Sequence, residues 1–359
     1  MKVSNLLTNG LSNYTTPLLL AAPLLILAVL TSLFGSTLLV RIVTVLFINL
    51  ILVLSLQIFM GNSGILSFAH VGFMGIGAYA SVLFSMTPQA KAATLPDLYA
   101  FLRPIHLPFL ISLLVGALIA SLIAAVLSFP LMRLSDAAAV ITIFAMLVII
   151  NVVLVHWSAV TNGPRTLFGV DNYTNLGNSA VFGLLTIFIA YAFKESSLGL
   201  KLRASRDDRY AASSIGIDII RVRWLAFILS AFIAGFGGGL FAHFITSFSP
   251  YAFYLTETFS MLAMLVVGGP GGVSGAVIGT VVVTLVREGL RYIENSANIN
   301  QTFPFPVVGF TEVFLATALI LILILRPSGI LGGREVRWNR KPVELPDEKP
   351  ASSIQPKGA

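Results

Sequence analysis

An all-α, polytopic bundle of about eight to ten membrane-spanning or re-entrant helices is the fold class this sequence predicts, and three observations predict it. The 359 residues are 57% hydrophobic and 10% charged, where soluble chains carry about 25% charge. Mean hydropathy is +0.92, and apolar stretches long enough to cross about 30 Å of hydrocarbon, roughly 20 helical residues, recur along the chain. The 22 lysines and arginines concentrate in two regions between and after those stretches, where the positive-inside rule places cytoplasmic charge. The net charge of +7 therefore reflects topology rather than nucleic-acid binding. Cysteine is absent, which excludes disulfides, thiolate-held metals and thiol nucleophiles, and four scattered histidines do not rebuild a metal site. The expected organisation is one membrane domain over residues 1–333 and a disordered tail over 334–359, which is rich in charge and proline.

The apolar stretches lie at 17–34, 38–60, 64–86, 107–129, 137–156, 179–193, 222–245, 259–286 and 306–325. The first has only Lys2 as a charged leader and carries Pro23 in mid-run, so it is expected to remain as a helix and not to be cleaved as a signal peptide. With 194–223 in the cytoplasm, alternation puts Lys2, Arg133 and the seven cations of that loop inside. It puts Arg41, Lys91, Arg103, Arg165, Arg287 and Arg291 outside. The cations from Arg326 onward call for a cytoplasmic C-terminus as well. Three ordinary spans after the loop would leave that tail on the wrong side, so one of them must fail to cross or be two elements. The stretch 259–286 is the candidate, since Gly268-Gly269-Pro270-Gly271-Gly272 interrupts it. Proline removes an amide donor and glycine frees the backbone. The nine residues 259–267 would rise about 14 Å, which suits a re-entrant element turning inside the membrane.

Backbone opened at mid-depth must be buried in protein or line a wet cavity. A first glycine-rich stretch, Gly61, Gly64, Gly72, Gly75 and Gly77, sits in the other half of the chain, and paired interruptions in two halves point to a substrate route. The expected route residues are Gly61, Gly64, Ser67, His70, Gly72, Gly268, Gly269, Pro270, Gly271 and Gly272. Small residues at four-residue steps, Ala231, Gly235 and Gly239 on one helix and Gly271, Gly275 and Gly279 on another, let backbones approach closely. Asn49, Gln57 and Asn151 are expected to bond between helices. His70, Asp136, His156, His243, Glu257 and Glu312 fall near span ends or in glycine-rich segments, where structural or interfacial roles are expected.

Between spans, residues 194–223 are charged and patterned. Arg203, Arg206, Asp207 and Tyr210 recur at helical spacing, with Ala204 and Asp208 among them, Ala211-Ala212 beyond, and Gly216 as punctuation. Such a surface suits docking into a groove, whereas the plainer reading is a solvated loop whose cations only fix topology. No G-x-x-x-x-G-K-[ST] phosphate loop occurs, so transport driven by ATP would need the hydrolysing site on another polypeptide.

The pattern Arg203-Ala204-x-Arg206, Ala211-Ala212 and Gly216-Ile217 resembles the cytoplasmic coupling loop of permeases from ATP-binding-cassette importers for branched-chain amino acids. Further stretches agree in order. The run from Gly61 through Ser67 and His70, with Gly75-Ile76-Gly77-Ala78-Tyr79, is similar to that family's early glycine-rich motif. Gly268-Gly269-Pro270-Gly271-Gly272-Val273-Ser274-Gly275-Ala276 resembles its late motif, Arg326-Pro327-Ser328-Gly329-Ile330-Leu331-Gly332 its closing motif, and Thr161-Asn162-Gly163-Pro164 its polar external loop. The likeness is strongest to the longer of the two permease types. It implies a transport subunit without enzymatic activity, cofactor or metal, multi-pass in a bacterial cytoplasmic membrane with both termini inside. It also implies a heterodimer with a second permease, two cytoplasmic ATPase subunits and an external solute-binding protein, with branched-chain amino acids as cargo. Urea or short amides are the alternative cargo, and a self-contained secondary transporter is the rival mechanism. Proton coupling would need a deep carboxylate, which the sequence does not clearly offer.

Overall fold

The computed structural model describes residues 15–299, 309–326, 328–333 and 335–336. Its principal helices are α1 Thr15–Phe34, α2 Thr37–Leu56, α3 His70–Ser85, α4 Phe109–Leu131, α5 Asp136–His156 and α6 Leu176–Glu195. They continue with α7 Ser197–Asp207, α8 Arg209–Ser214, α9 Ile219–Ile245, α10 Leu255–Gly268, α11 Val273–Ile299 and α12 Phe310–Leu325. Eight helical segments among the described residues are long and apolar enough to cross a membrane, and the all-helical membrane bundle expected from composition is the fold observed. The centre is α2, which a π turn, Gln57–Gly61, prolongs. Residues 46–63 are all buried, as befits a helix apolar on every face.

Glycines set how the other helices close around it. A Cβ on Gly77 of α3 would stand 2.2 Å from the Gly235 carbonyl of α9, and one on Gly238 would stand 2.0 Å from the Met74 carbonyl. The two helices run parallel, linked by His70 with Ser230 (2.9 Å) lower down and by Ser85 with His243 (2.6 Å) further along. The four-residue pattern at Ala231, Gly235 and Gly239 thus serves helix packing.

Two crossings are interrupted. At the end of α2 the chain meets α7, where the Arg206 guanidinium donates to the Gly61 carbonyl at 2.7 Å. Residues 62–69 then return largely without helical structure to His70. His70 lies beside Ser230, 11 residues and about 16 Å along α9, so α3 begins inside the bundle. After α9, residues 246–254 turn back inward through the 3-10 turn Pro250–Phe253. Phe253 packs on Gly75 and Tyr79 of α3. From there α10 runs to the end where α2 finished, as the close approach of Gly61 to the Pro270 carbonyl shows.

This corrects two expectations. The partner of the first interruption is 246–254, and Gly268–Gly272 is instead a turn at the end of the bundle. The stretch 259–286 is the end of α10, which completes the second interrupted crossing, followed by the antiparallel start of α11, and the turn between them lies at the end of the bundle and not inside the membrane. A Cβ on Gly268 would stand 1.9 Å from the Gly275 carbonyl, and one on Gly279 2.0 Å from the Met264 carbonyl, so the glycines bring the backbones of α10 and α11 together beside the turn. Gly269, at φ +108, and Pro270 make the turn. After α12 the chain rejoins that turn, with Ile330 N–H bonded to the Val267 carbonyl (2.9 Å) and Leu331 N–H to that of Gly268 (3.2 Å). Residues 328–333 therefore lie at the end that carries α7 and α8. A third correction concerns α11, which continues to Ile299, so Arg287 and Arg291 lie within the helix and not in a loop outside.

Candidate functional site

Local capping builds the helical pair at that end. Ser196 accepts from Gly199 N–H at 3.2 Å to start α7. Asp208 ends α7 and caps α8, accepting from Tyr210 N–H (2.8 Å) and Ala211 N–H (2.9 Å). Gly216, at φ +82, closes α8, with its own N–H on Ser213 and that of Ile217 on Ala212, a left-handed helix stop. Asp218 then caps α9 through Arg221 N–H at 3.1 Å.

The pair has two faces. Leu202, Ser205 and Ala212 are buried beneath it, Ala204 is half-buried, and Asp207, Asp208 and Ala211 are exposed. Tyr210 is 87% and Ile215 76% exposed. The two arginines turn toward the bundle. Arg203 donates to the Lys194 carbonyl at 2.9 Å, and the Arg206 side chain passes over Gly64 to reach Gly61.

Four of the five motif regions converge here, all but that of residues 161–164. A Cβ on Gly61 would stand 2.3 Å from the Pro270 carbonyl, and one on Gly329 2.5 Å from Gly269 Cα. Gly271 approaches Gly333. The sequence reading missed the cluster that seals this junction. Glu335 forms an ion pair with Lys194, the two side chains being 6% and 4% exposed. Its carboxylate accepts from the N–H groups of Val273 (2.9 Å) and Ser274 (3.0 Å) and from the Ser274 hydroxyl, capping α11. Glu335 and Val336 had been assigned to the tail, but the contacted chain extends beyond residue 333; residues 337–359 lie outside those described. Burial would raise the Glu335 carboxyl, and Lys194 with Ser274 reverses this, leaving it below the usual carboxylate range. A depressed pKa stabilises the fold above the unfolded value and loses that contribution as pH falls through the folded one. Replacing Glu335 by Gln is expected to cost about 3–5 kcal/mol at neutral pH by leaving Lys194 buried without its counter-charge. The thermal midpoint in detergent measures this, and the difference from wild type should shrink in acid.

The remaining route residues make packing contacts. His70 is buried, its ring nitrogens bonded to Ser67 (2.8 Å) and Ser230 (2.9 Å), and its ring packs near Phe59 and Phe227. Gly72 meets Ile150 of α5. Neither they nor Gly268–Gly272 line either of two cavities among the described residues. One, about 530 Å³, has Arg41, Asn172, Thr174 and Asn175 on its wall. The other, about 540 Å³, is apolar and lies among α3, α4 and α5, with Tyr99 and Trp157. Asn49 reaches Thr284 (3.5 Å) and Asn151 the Pro250 carbonyl (3.3 Å), whereas the Gln57 amide is buried without a hydrogen-bond partner. Asp136 is 2.9 Å from buried Arg223, although that pair lacks hydrogen-bond alignment. His156 caps its own helix on the Val152 carbonyl. The Glu312 side chain lies outside those described.

A membrane bundle with two interrupted crossings of opposite sense, and a helical pair displayed at one end, defines a transport subunit. The chain belongs to the family of permease components of branched-chain amino acid transport systems, whose model matches residues 38–325, and it is thus an ATP-binding-cassette transporter permease and not an enzyme. It is 28% identical to the high-affinity branched-chain amino acid transport system permease protein LivM of Escherichia coli K12, over 86% of this chain and 73% of the relative. It is 34% identical to LivH of the same organism over 42% of this chain and 44% of the relative. A probable LivM of Methanocaldococcus jannaschii is 26% identical over 42% of this chain and 46% of its own length. No solved structure matches the chain.

Proposed function

We propose that this chain imports branched-chain amino acids as one half of a permease heterodimer, driven by two cytoplasmic ATPase subunits and supplied by an external solute-binding protein. The observation that carries this reading is the α7–α8 pair, whose outer face is free while its inner face is tied through Arg206 to Gly61, itself against the Pro270 turn. Pressure on Tyr210 and Ile215 would pass through Gly216 and Asp218 into α9, which packs on α3 and α4, and through Arg206 into Gly61 and the Pro270 turn. Both interrupted crossings then move with the ATPases. The end bearing α7 and α8 is the cytoplasmic one, and with it both chain termini. The cargo follows the printed activity of the relatives.

The test is purification of the tagged protein from its membrane, followed by reconstitution with whatever remains bound. ATPase subunits and a second permease should co-purify, and leucine should accumulate in vesicles only with ATP on the ATPase side. Uptake by the purified chain alone would overturn the reading. Tyr210→Ala should weaken ATPase capture about tenfold, the equivalent of about 1.4 kcal/mol, while leaving the melting temperature unchanged because the ring is 87% exposed.

A further inference from the structure

Ionisable residues stand inside the α10–α11 hairpin. Counting up from its turn, Glu257 is 11 residues before Gly268 and Arg287 is 14 after Val273, rises of about 16 and 21 Å. A hydrocarbon layer of about 30 Å puts Glu257 near mid-depth, which corrects its expected place at a span end, and Arg287 about two thirds of the way across, with its long side chain leaning back along its helix toward Glu257. The carboxylate and guanidinium are 3.9 Å apart, too far for a hydrogen bond. Arg287 instead donates to the Ser260 hydroxyl at 3.0 Å.

The pair is neither sealed in the core nor free on the surface, the side chains being 14% and 19% exposed. A charge at mid-depth facing lipid costs about 3 kcal/mol on insertion scales, so this side of the hairpin faces a wet passage or another protein. Phe259, two residues and about 200° around α10 from Glu257, is 56% exposed and meets Phe68 edge-on, as does Phe144 of α5. Phe68 belongs to the first interruption, and α10 begins directly after the second, without a side-chain cap at Tyr254. Half-helix starts of this kind receive anionic substrate groups in transporters with broken helices.

We infer that Glu257, Ser260 and Arg287 form a mid-membrane subsite for the zwitterionic end of an α-amino acid. The inference rests on the import reading above. An ammonium and a carboxylate on one carbon complement a carboxylate and a guanidinium that face each other at 3.9 Å without a hydrogen bond between them. Arg287 offers paired donors to the substrate carboxylate, while Glu257 and the Ser260 oxygen accept from the ammonium.

A structural staple between α10 and α11 would use the same residues, and a charge exchange separates the two roles. In vesicles holding the whole importer, with saturating leucine-loaded binding protein, Glu257→Gln and Arg287→Met should each lower uptake at least about tenfold while ATP hydrolysis stays within about twofold. The exchanged double variant, Glu257→Arg with Arg287→Glu, should recover the melting temperature but not uptake, because its polarity no longer matches the substrate. Recovery of uptake in the exchanged variant, or unchanged uptake in both single variants, overturns the subsite. If the single variants fail to assemble, Glu257→Asp and Arg287→Lys take their place, and full uptake in both is equally fatal. Uptake by the wild-type complex that does not depend on ATP would overturn the import reading itself.

Discussion

Gly238→Val is expected to yield no monodisperse bundle. A Cβ at this position would stand 2.0 Å from the Met74 carbonyl oxygen and 2.7 Å from its carbon, and backbone, unlike a side-chain tip, has no rotamer through which to withdraw. Relief requires α3 and α9 to part. Their separation would also strain the adjoining contacts of Gly77 with Gly235 and of Gly239 with Ser81, and the hydrogen bond from Ser85 to His243. Overpacking usually costs about 1–3 kcal/mol, and a clash between two backbones with several dependent contacts belongs above that range. In a membrane, where helices associate through packing rather than hydrophobic expulsion, no other term compensates. Size-exclusion profiles of a fluorescent fusion in mild detergent provide the measurement: wild type should elute as one peak and the variant in the void. A sharp peak with normal elution would show that α3 and α9 part easily.

The same residues show what the sequence could disclose. Lipid as solvent makes each crossing an apolar run, so the spans and the helical class were legible. The end of α11 was not, because Arg287 and Arg291 interrupt hydropathy at a point where the helix continues to Ile299. The break at Gly268–Gly272 was visible as composition, but its depth depends on which neighbour each glycine meets, and spacing along one chain does not contain that. The second interruption, 246–254, is disguised by its own aromatic residues, since Phe248 and Phe253 bury like helix residues while their backbone is mostly irregular. The four-residue pattern found Gly235 and Gly239 but passed over Gly238, which has the tightest approach in α9. Glu335 was illegible for a different reason. In a segment rich in proline and charge it reads as solvated, and only folding brings it to Lys194, 141 residues earlier.

Gly216→Pro should abolish ATP-driven uptake while the protein still inserts and remains monodisperse. The position is suited to this separation because nothing beyond its chain neighbours lies within 4 Å of where a Cβ would stand, so a Cβ there meets no other part of the bundle. What it changes is the backbone. Proline holds φ near −65° and has no N–H, whereas Gly216 sits at φ +82 and donates to the Ser213 carbonyl at 3.0 Å. The joint between α8 and α9 must therefore adopt another angle, and a push on Tyr210 no longer arrives along α9. Gly216→Ala is the graded control. Alanine can occupy the left-handed region at a cost of about 1 kcal/mol, keeps the N–H, and should retain most of the uptake. Initial uptake rates and ATP hydrolysis in the same vesicles would separate the outcomes. If the proline variant inserts properly and transports at the wild-type rate, the α8–α9 joint is not the path of the stroke, and Arg206 on Gly61 becomes the main connection between the ATPases and the crossings.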